Sequence, residues 1–341
     1  MENLKDYYYA LPKVELHRHL EGSLRLRTMV ELARTQGITV PTNTGSLSNL
    51  VQVQKSEPST YQNFLSKFAT LRLFYRSPEV IARVTREAVE DAAKDNIRYL
   101  ELRFTPVALS RAERFQLEDV MDWVCESTQK AALEFGLRAG LIVSVNRHES
   151  VELAEQVVGL AVDRRERGIV GLDLAGNEAE FAAQPFASIF LAAQASGLKL
   201  TIHAGEWGGP ANVRDAFEIF NADRIGHGVR VVENNAVMAL ARERGAAFEV
   251  CVTSNYQTGA VPPTTKHPAI KMLEEGLNVT ICSDDPSISQ ITLTDEYHRF
   301  CEDMDLSQSK LKERILAAAR AAFLPDQERH KLVDELKLEL M

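Results

Sequence analysis

The stretch VELHRHLEG, residues 14–22, places His17 and His19 two residues apart at the end of an apolar run. A strand sends alternate side chains to opposite faces, so both imidazoles share one face. Histidine is the commonest metal ligand. The pair reads either as half of a metal site or as two hydrogen-bonded surface histidines. Further along, KLTIHAGE (199–206) carries His203 and Glu206, ADRIGHG (222–228) carries His227, and LNVTICSDDP (277–286) carries Asp284 and Asp285. The imidazoles of His17, His19 and His203 with the Asp284 carboxylate make a donor set suited to zinc, with a position left for water. HExxH is absent, which argues against a zincin-type protease. The fourth apolar run ends in DLAG without a lysine, which favours one metal over a bridged pair. Bound zinc lowers the pKa of its water to about 7. Glu206, beyond His203, reaches the same space as a proton donor rather than a ligand. His227 can orient or deprotonate the water. Asp285 is expected to point to the opposite side from Asp284 and to hydrogen-bond a substrate. The other reading of Asp284–Asp285–Pro286 is a helix N-cap or turn. Gly176 would let a backbone N–H approach a flat ligand, or simply make a tight turn.

Eight apolar runs could position these residues: 13–20, 97–106, 137–145, 169–176, 199–206, 222–228, 247–254 and 277–286. Helical patterns lie between them, at 78–96, 118–136 and 233–245 for example, the last ending at a glycine suited to a helix stop. This alternation predicts an α/β fold, a parallel sheet closed into a (β/α)8 TIM barrel, forming one hydrolase domain over residues 1–341. An open doubly wound sheet is the competitor, but no GxGxxG follows an early strand. In a barrel the chemistry sits at the C-terminal strand ends, where the histidines and acids collect. An insertion at about residues 37–77 follows the first strand and its helix, and contains YQNFLSKFATLRLF. It is either a helical lid over that face or a packed surface helix. Two extra helices are expected beyond residue 305. His148, His267, His298 and His330 are expected at exposed or capping positions, without a role.

The 341 residues are 45% hydrophobic and 26% charged, enough to build a full core. The net charge of −9 argues against a nucleic-acid partner, which would need a basic face. Arg164, Arg165 and Arg167 are interleaved with Asp163 and Glu166 and read as a solvated helix face. No apolar run approaches the roughly 18 residues of a membrane span, and the N-terminus lacks the apolar stretch of a signal peptide. Cys125, Cys251, Cys282 and Cys301 form no CxxC, so free thiols in a reducing cytoplasm are expected. Cys251 and Cys282 read as buried and inert.

The motifs HRHLEG, DLAGNE, HAGE, RIGHG, TSNYQTGAV and SDDP occur in this order. Together they resemble the adenosine deaminase family of the amidohydrolase superfamily, from about residue 10 to about residue 325. The resemblance implies hydrolytic deamination of a 6-aminopurine, with one Zn2+ per chain held by His17, His19, His203 and Asp284. Addition would occur at C6, Glu206 would protonate N1 and His227 would position the hydroxide. Asp285 would bond N7 and the Gly176 amide N3, beside His19. FLSKF matches the family's FLxKF, so Phe64, Leu65 and Phe68 would wall the sugar. Two positions depart from the usual pattern. Glu21 stands where HLDG has the aspartate that contacts the ribose 5′-hydroxyl, and Asn177 stands in place of the aspartate of DLAGDE. HLEG also occurs in relatives acting on adenine and on aminodeoxyfutalosine. The expected reaction is adenosine or 2′-deoxyadenosine to inosine or 2′-deoxyinosine plus ammonia, in purine salvage, with adenine or aminodeoxyfutalosine as alternative substrates.

Overall fold

A computed structural model describes residues 4–341. The eight apolar runs form β1 (Lys13–His19), β2 (Ile97–Phe104), β3 (Arg138–Asn146), β4 (Ile169–Ala175), β5 (Lys199–Ala204), β6 (Arg224–His227), β7 (Ala247–Val250) and β8 (Asn278–Ile281). Each pairs in parallel with the next, in sequence order. With helices between the strands, this is the expected (β/α)8 barrel.

The last strands are shorter than the apolar runs that contain them. Cys251 already caps the helix Val252–Gln257. Residues 282–285 have left β8, and Asp284 adopts φ +64°. That turn closes the barrel mouth. Asp284 bridges Arg18, the Asp284 N–H donates to His17 O at 2.8 Å, and the His19 N–H donates to Asp284 O at 2.9 Å. The backbone seam between the first and last strands therefore runs through the expected ligands.

Covering helices form where caps and apolar spacing agree. Pro78–Lys94 starts at Ser77, whose side chain accepts from the Val80 N–H, and buries Val80, Ile81, Val84, Ala88 and Ala92. The helix Gln308–Ala321 packs on β1 and β8, and Asp326–Glu339 packs on it, which makes the two expected C-terminal helices.

Within the insertion, Asn43 and Thr60 cap helices at Thr44–Val51 and Tyr61–Leu71. The second of these lies against the mouth: Phe64 is buried, Phe64 and Phe68 line the cavity there, and Tyr61 stacks on Trp207 with centroids 5.0 Å apart. Among the described residues, no helix is long and apolar enough to cross a membrane.

Candidate metal centre and active site

All the site residues singled out from the sequence line one cavity at the C-terminal strand ends, except His17, which lies fully buried. The four expected ligands fall in overlapping groups. His17, His19 and Asp284 form one, and His17, His203 and His227 another. The Nε2 atoms of His17 and His19 each lie 3.3 Å from Asp284 Oδ1.

Buried acids set the tautomers. His17 Nδ1 lies 2.8 Å from Glu249 Oε2, and His203 Nδ1 lies 2.8 Å from Asp173 Oδ1. Each carboxylate is an acceptor, so each Nδ1 carries the proton and each Nε2 keeps its lone pair for a ligand. Burial disfavours the charge on both acids, but Arg103 and Arg224 hold Glu249 well below the usual carboxylate range, and His203 and Arg103 do the same for Asp173. Arg103 donates to Glu249 at 2.9 Å and sits 3.3 Å from Asp173; Arg224 donates to Glu249 at 2.6 Å and pairs with Glu101.

Two features show that these residues fit a divalent metal. His17 Nε2 is buried without a hydrogen-bond partner, an arrangement that costs free energy unless something completes it. In addition, the buried carboxylates Glu101, Asp173, Glu249 and Asp284 outnumber the guanidiniums of Arg103 and Arg224. A dication among two or three imidazoles and a carboxylate balances that excess, and nitrogen with oxygen donors suits zinc.

Glu206 sits at the end of a tight loop after β5. The Glu178 carboxylate gathers the N–H groups of Gly205 (2.9 Å), Glu206 (2.5 Å) and Trp207 (2.8 Å) and thereby fixes that loop. Burial, then the charges of Asp284 and Glu178, push the Glu206 carboxyl well above its ordinary range. This shift favours the protonated form, as the role of proton donor requires. Its Oε2 lies 3.6 Å from His227 Nε2.

A chain of hydrogen bonds fixes His227. The Ala269 N–H donates to His267 Nδ1 at 3.2 Å, so the His267 proton is on Nε2, 3.2 Å from Asn255 Oδ1. The Asn255 amide then turns its NH2 to His227 Nδ1 at 3.1 Å, which leaves the His227 proton on Nε2, facing Glu206. In this tautomer His227 donates a hydrogen bond and is not poised as a base, which narrows the two roles its position allowed. His227 also holds φ +57°, as unusual for a histidine as φ +64° is for Asp284; such strain costs about 1–3 kcal/mol per residue and collects at functional sites.

His267 corrects the expectation that it has no role. It does cap, meeting the N–H that opens the helix Ala269–Glu274, but it is buried rather than exposed. Burial pushes its pKa from 6.5 down to about 3. The unfolded chain binds that proton near pH 6.5 and the folded chain does not, so stability is lost as pH falls from 6.5 towards 3. His267→Gln removes this contribution. Urea midpoints at pH 7.5 and pH 5 should show a larger drop for the wild type than for the variant; equal drops would show that His267 titrates normally.

Asp285 corrects another. It lines the same cavity as Asp284 instead of facing the opposite side, because the left-handed Asp284 breaks the strand alternation. Asp285 does hold the N-cap position of Pro286–Ser289, yet its side chain makes no cap bond. It occupies space that only a glycine at 22 leaves open, since a Cβ there would lie 1.8 Å from Asp285 Oδ1. Gly176 has φ +90° and lines the cavity, so both its conformation and its place suit a backbone donor. Glu21 accepts from the Thr105 N–H at 2.7 Å through one oxygen, while the other is buried without a partner. Asn177 accepts from the Ala179 N–H at 3.0 Å in a local turn. All four cysteines are free and buried, and burial raises the Cys251 and Cys282 thiols well above their usual range, which fits inert thiols.

Glu249, Asp173, Arg103, Glu178, Asn255 and His267 were not singled out as site residues from the sequence. The available signal was a charge in the middle of an apolar strand, as in AFEV, GLDL and YLELRF.

The profile of a family described as adenosine deaminase matches residues 12–338. The chain belongs to the adenosine deaminase family. It is 33% identical to an adenosine deaminase of Clostridium perfringens over 94% of this chain and 97% of that one. Identity to an adenosine deaminase of Enterococcus faecalis is 33%, over 94% of each chain. Among solved structures, an adenine deaminase from Arthrobacter aurescens matches with a TM-score of 0.88 and 26% identity, covering 96% of this chain and 98% of its own. An N6-mAMP deaminase from Arabidopsis matches with a TM-score of 0.86 and 26% identity over 98% and 99%. An amidohydrolase from Burkholderia ambifaria with bound Zn matches with a TM-score of 0.88 and 26% identity over 98% and 93%. Solved structures with this barrel thus include an adenine deaminase and an N6-mAMP deaminase.

Proposed function

We propose that the chain catalyses hydrolytic deamination of a 6-aminopurine nucleoside, with adenosine and 2′-deoxyadenosine as the simplest substrates and one Zn2+ per chain as the metal. The observation that carries this reading is the placing of Glu206 Oε2 3.6 Å from His227 Nε2, in the cavity that also holds His19, His203 and Asp284; burial there raises the Glu206 carboxyl, the direction a proton donor needs. His17, His19, His203 and Asp284 would hold the ion. When bound there, a divalent metal supplies the Lewis acidity that brings the pKa of water towards neutrality.

The protein's own groups do the rest. Glu206 delivers its proton to purine N1, which draws electron density from C6 and readies it for water. His227 donates from Nε2 and fixes the position of the attacking oxygen. Burial, then the charges of Asp284, Glu21 and Glu206, raise the Asp285 carboxyl well above its ordinary range, which favours the form that donates to N7. The Gly176 N–H meets N3. Phe64 and Phe68 keep bulk water from the ring, and the free Glu21 oxygen accepts from a sugar hydroxyl. Water replaces the amino group, ammonia leaves and a 6-oxopurine remains. Purine salvage in a reducing cytoplasm fits four free thiols. The test is loss of the adenine absorbance band with zinc-loaded protein and adenosine, 2′-deoxyadenosine or adenine. Turnover of both nucleosides is expected. Turnover of adenine alone would shift the substrate to the free base, and no turnover of any would reject the reaction.

A further inference from the structure

Arg72 follows the helix Tyr61–Leu71 and lies four residues beyond Phe68 and eight beyond Phe64, on the same face. It lines the same cavity as they do. Its neighbours in the segment are matched by acids, Lys67 by Glu57 at 2.6 Å and Arg76 by Glu113 at 2.7 Å. Among the described residues Arg72 has no ion pair, and its Nε is buried without a hydrogen-bond partner. Around it, Glu21 Oε2, Tyr75 Oη and Asp285 Oδ1 are also buried and unpartnered. Glu21, Arg72 and Asp285 line the one cavity, and their charges act on Tyr75.

The cavity therefore has two ends. Glu206 is surrounded by Asp284, Glu178 and Thr258. Glu21 is surrounded by Thr105 and Arg72. At the second end the half-buried Arg72 forms no ion pair among the described residues and its Nε is buried without a hydrogen-bond partner, an arrangement that a ligand acceptor would complete. A hydroxyl would satisfy a single N–H. A phosphate or carboxylate matches the fork of N–H groups. The rim carries the same sign: Arg72 and Arg111 both act to disfavour protonation of half-buried His148, although Glu149 pairs with Arg111 at 2.5 Å. The free Glu21 oxygen remains for a sugar hydroxyl.

Building on the deaminase reading above, we propose that Arg72 selects 6-aminopurine nucleosides whose sugar end carries an oxyanion, a phosphate or a carboxylate. The reaction at C6 is unchanged and adenosine is the weaker substrate. The test compares kcat/KM for adenosine, adenosine 5′-monophosphate and aminodeoxyfutalosine, whose sugar bears a benzoate, in the zinc-loaded wild type, Arg72→Met and Arg72→Lys. At least one anionic substrate is expected to exceed adenosine by about tenfold or more in the wild type, with that ratio collapsing in Arg72→Met and partly restored in Arg72→Lys. Preference for the monophosphate identifies phosphate as the anion, and preference for the benzoate identifies carboxylate. Adenosine outpacing both anions, or a ratio that Arg72→Met leaves unmoved, overturns the proposal while the deaminase reading stands. No turnover of any of the three overturns both.

Discussion

Glu206→Gln is expected to lower kcat on adenosine by about 10²–10⁴-fold while zinc content stays at the wild-type level. The amide keeps the shape and the hydrogen bonds of the acid but has no proton to give to N1. Metal retention follows because Glu206 belongs to none of the candidate metal-binding groups. The imidazole of His227 lies 3.6 Å from it, and its Nε2 carries a proton and does not bind metal in that form. Metal analysis with steady-state kinetics separates the two effects. A variant with near wild-type kcat would remove Glu206 from proton transfer, and a variant that loses zinc would make it part of the metal site.

Arg103→Met is expected to destabilise the metal-free protein by about 3 kcal/mol, the lower end of the cost of breaking a buried ion pair. Arg103 is fully buried and holds both carboxylates that orient His17 and His203. Methionine fills much of the volume without the charge, so Glu249 and Asp173 lose a shared counter-ion. The lower end applies because Arg224 still meets Glu249 and the Ser144 hydroxyl still donates to Asp173 at 3.0 Å. Urea unfolding of chelated wild type and variant measures the difference. A gap near zero would mean that the two carboxylates are held without Arg103.

The sequence carries the barrel and the shared face of the proposed ligands His17 and His19 because both rest on simple periodicity. Apolar runs mark strands, and His17 and His19 share a face because strand side chains alternate. What periodicity cannot carry is a residue that leaves the regular backbone. The last run continues through ICS with apolar character, yet the strand stops at Ile281, and the left-handed turn at Asp284 brings Asp285 into the cavity. His267 was hidden for a different reason. It reaches His227 only through Asn255, across a loop and a cap whose partners are set by tertiary packing. The supporting acids were visible only as charges out of place inside apolar strands, a signal that marks a residue without naming its partner. Arg72 was hidden among the matched charges around it, and only the structure shows that its Nε lacks a partner.

The most direct test of the account is the rate of adenosine deamination, followed by ultraviolet absorbance, in purified protein before chelation, after chelation, and after one equivalent of Zn2+ is restored. The account predicts turnover that disappears with the metal and returns in proportion to zinc bound, up to one ion per chain. Turnover unaffected by complete metal removal, or none from fully zinc-loaded protein, would contradict it.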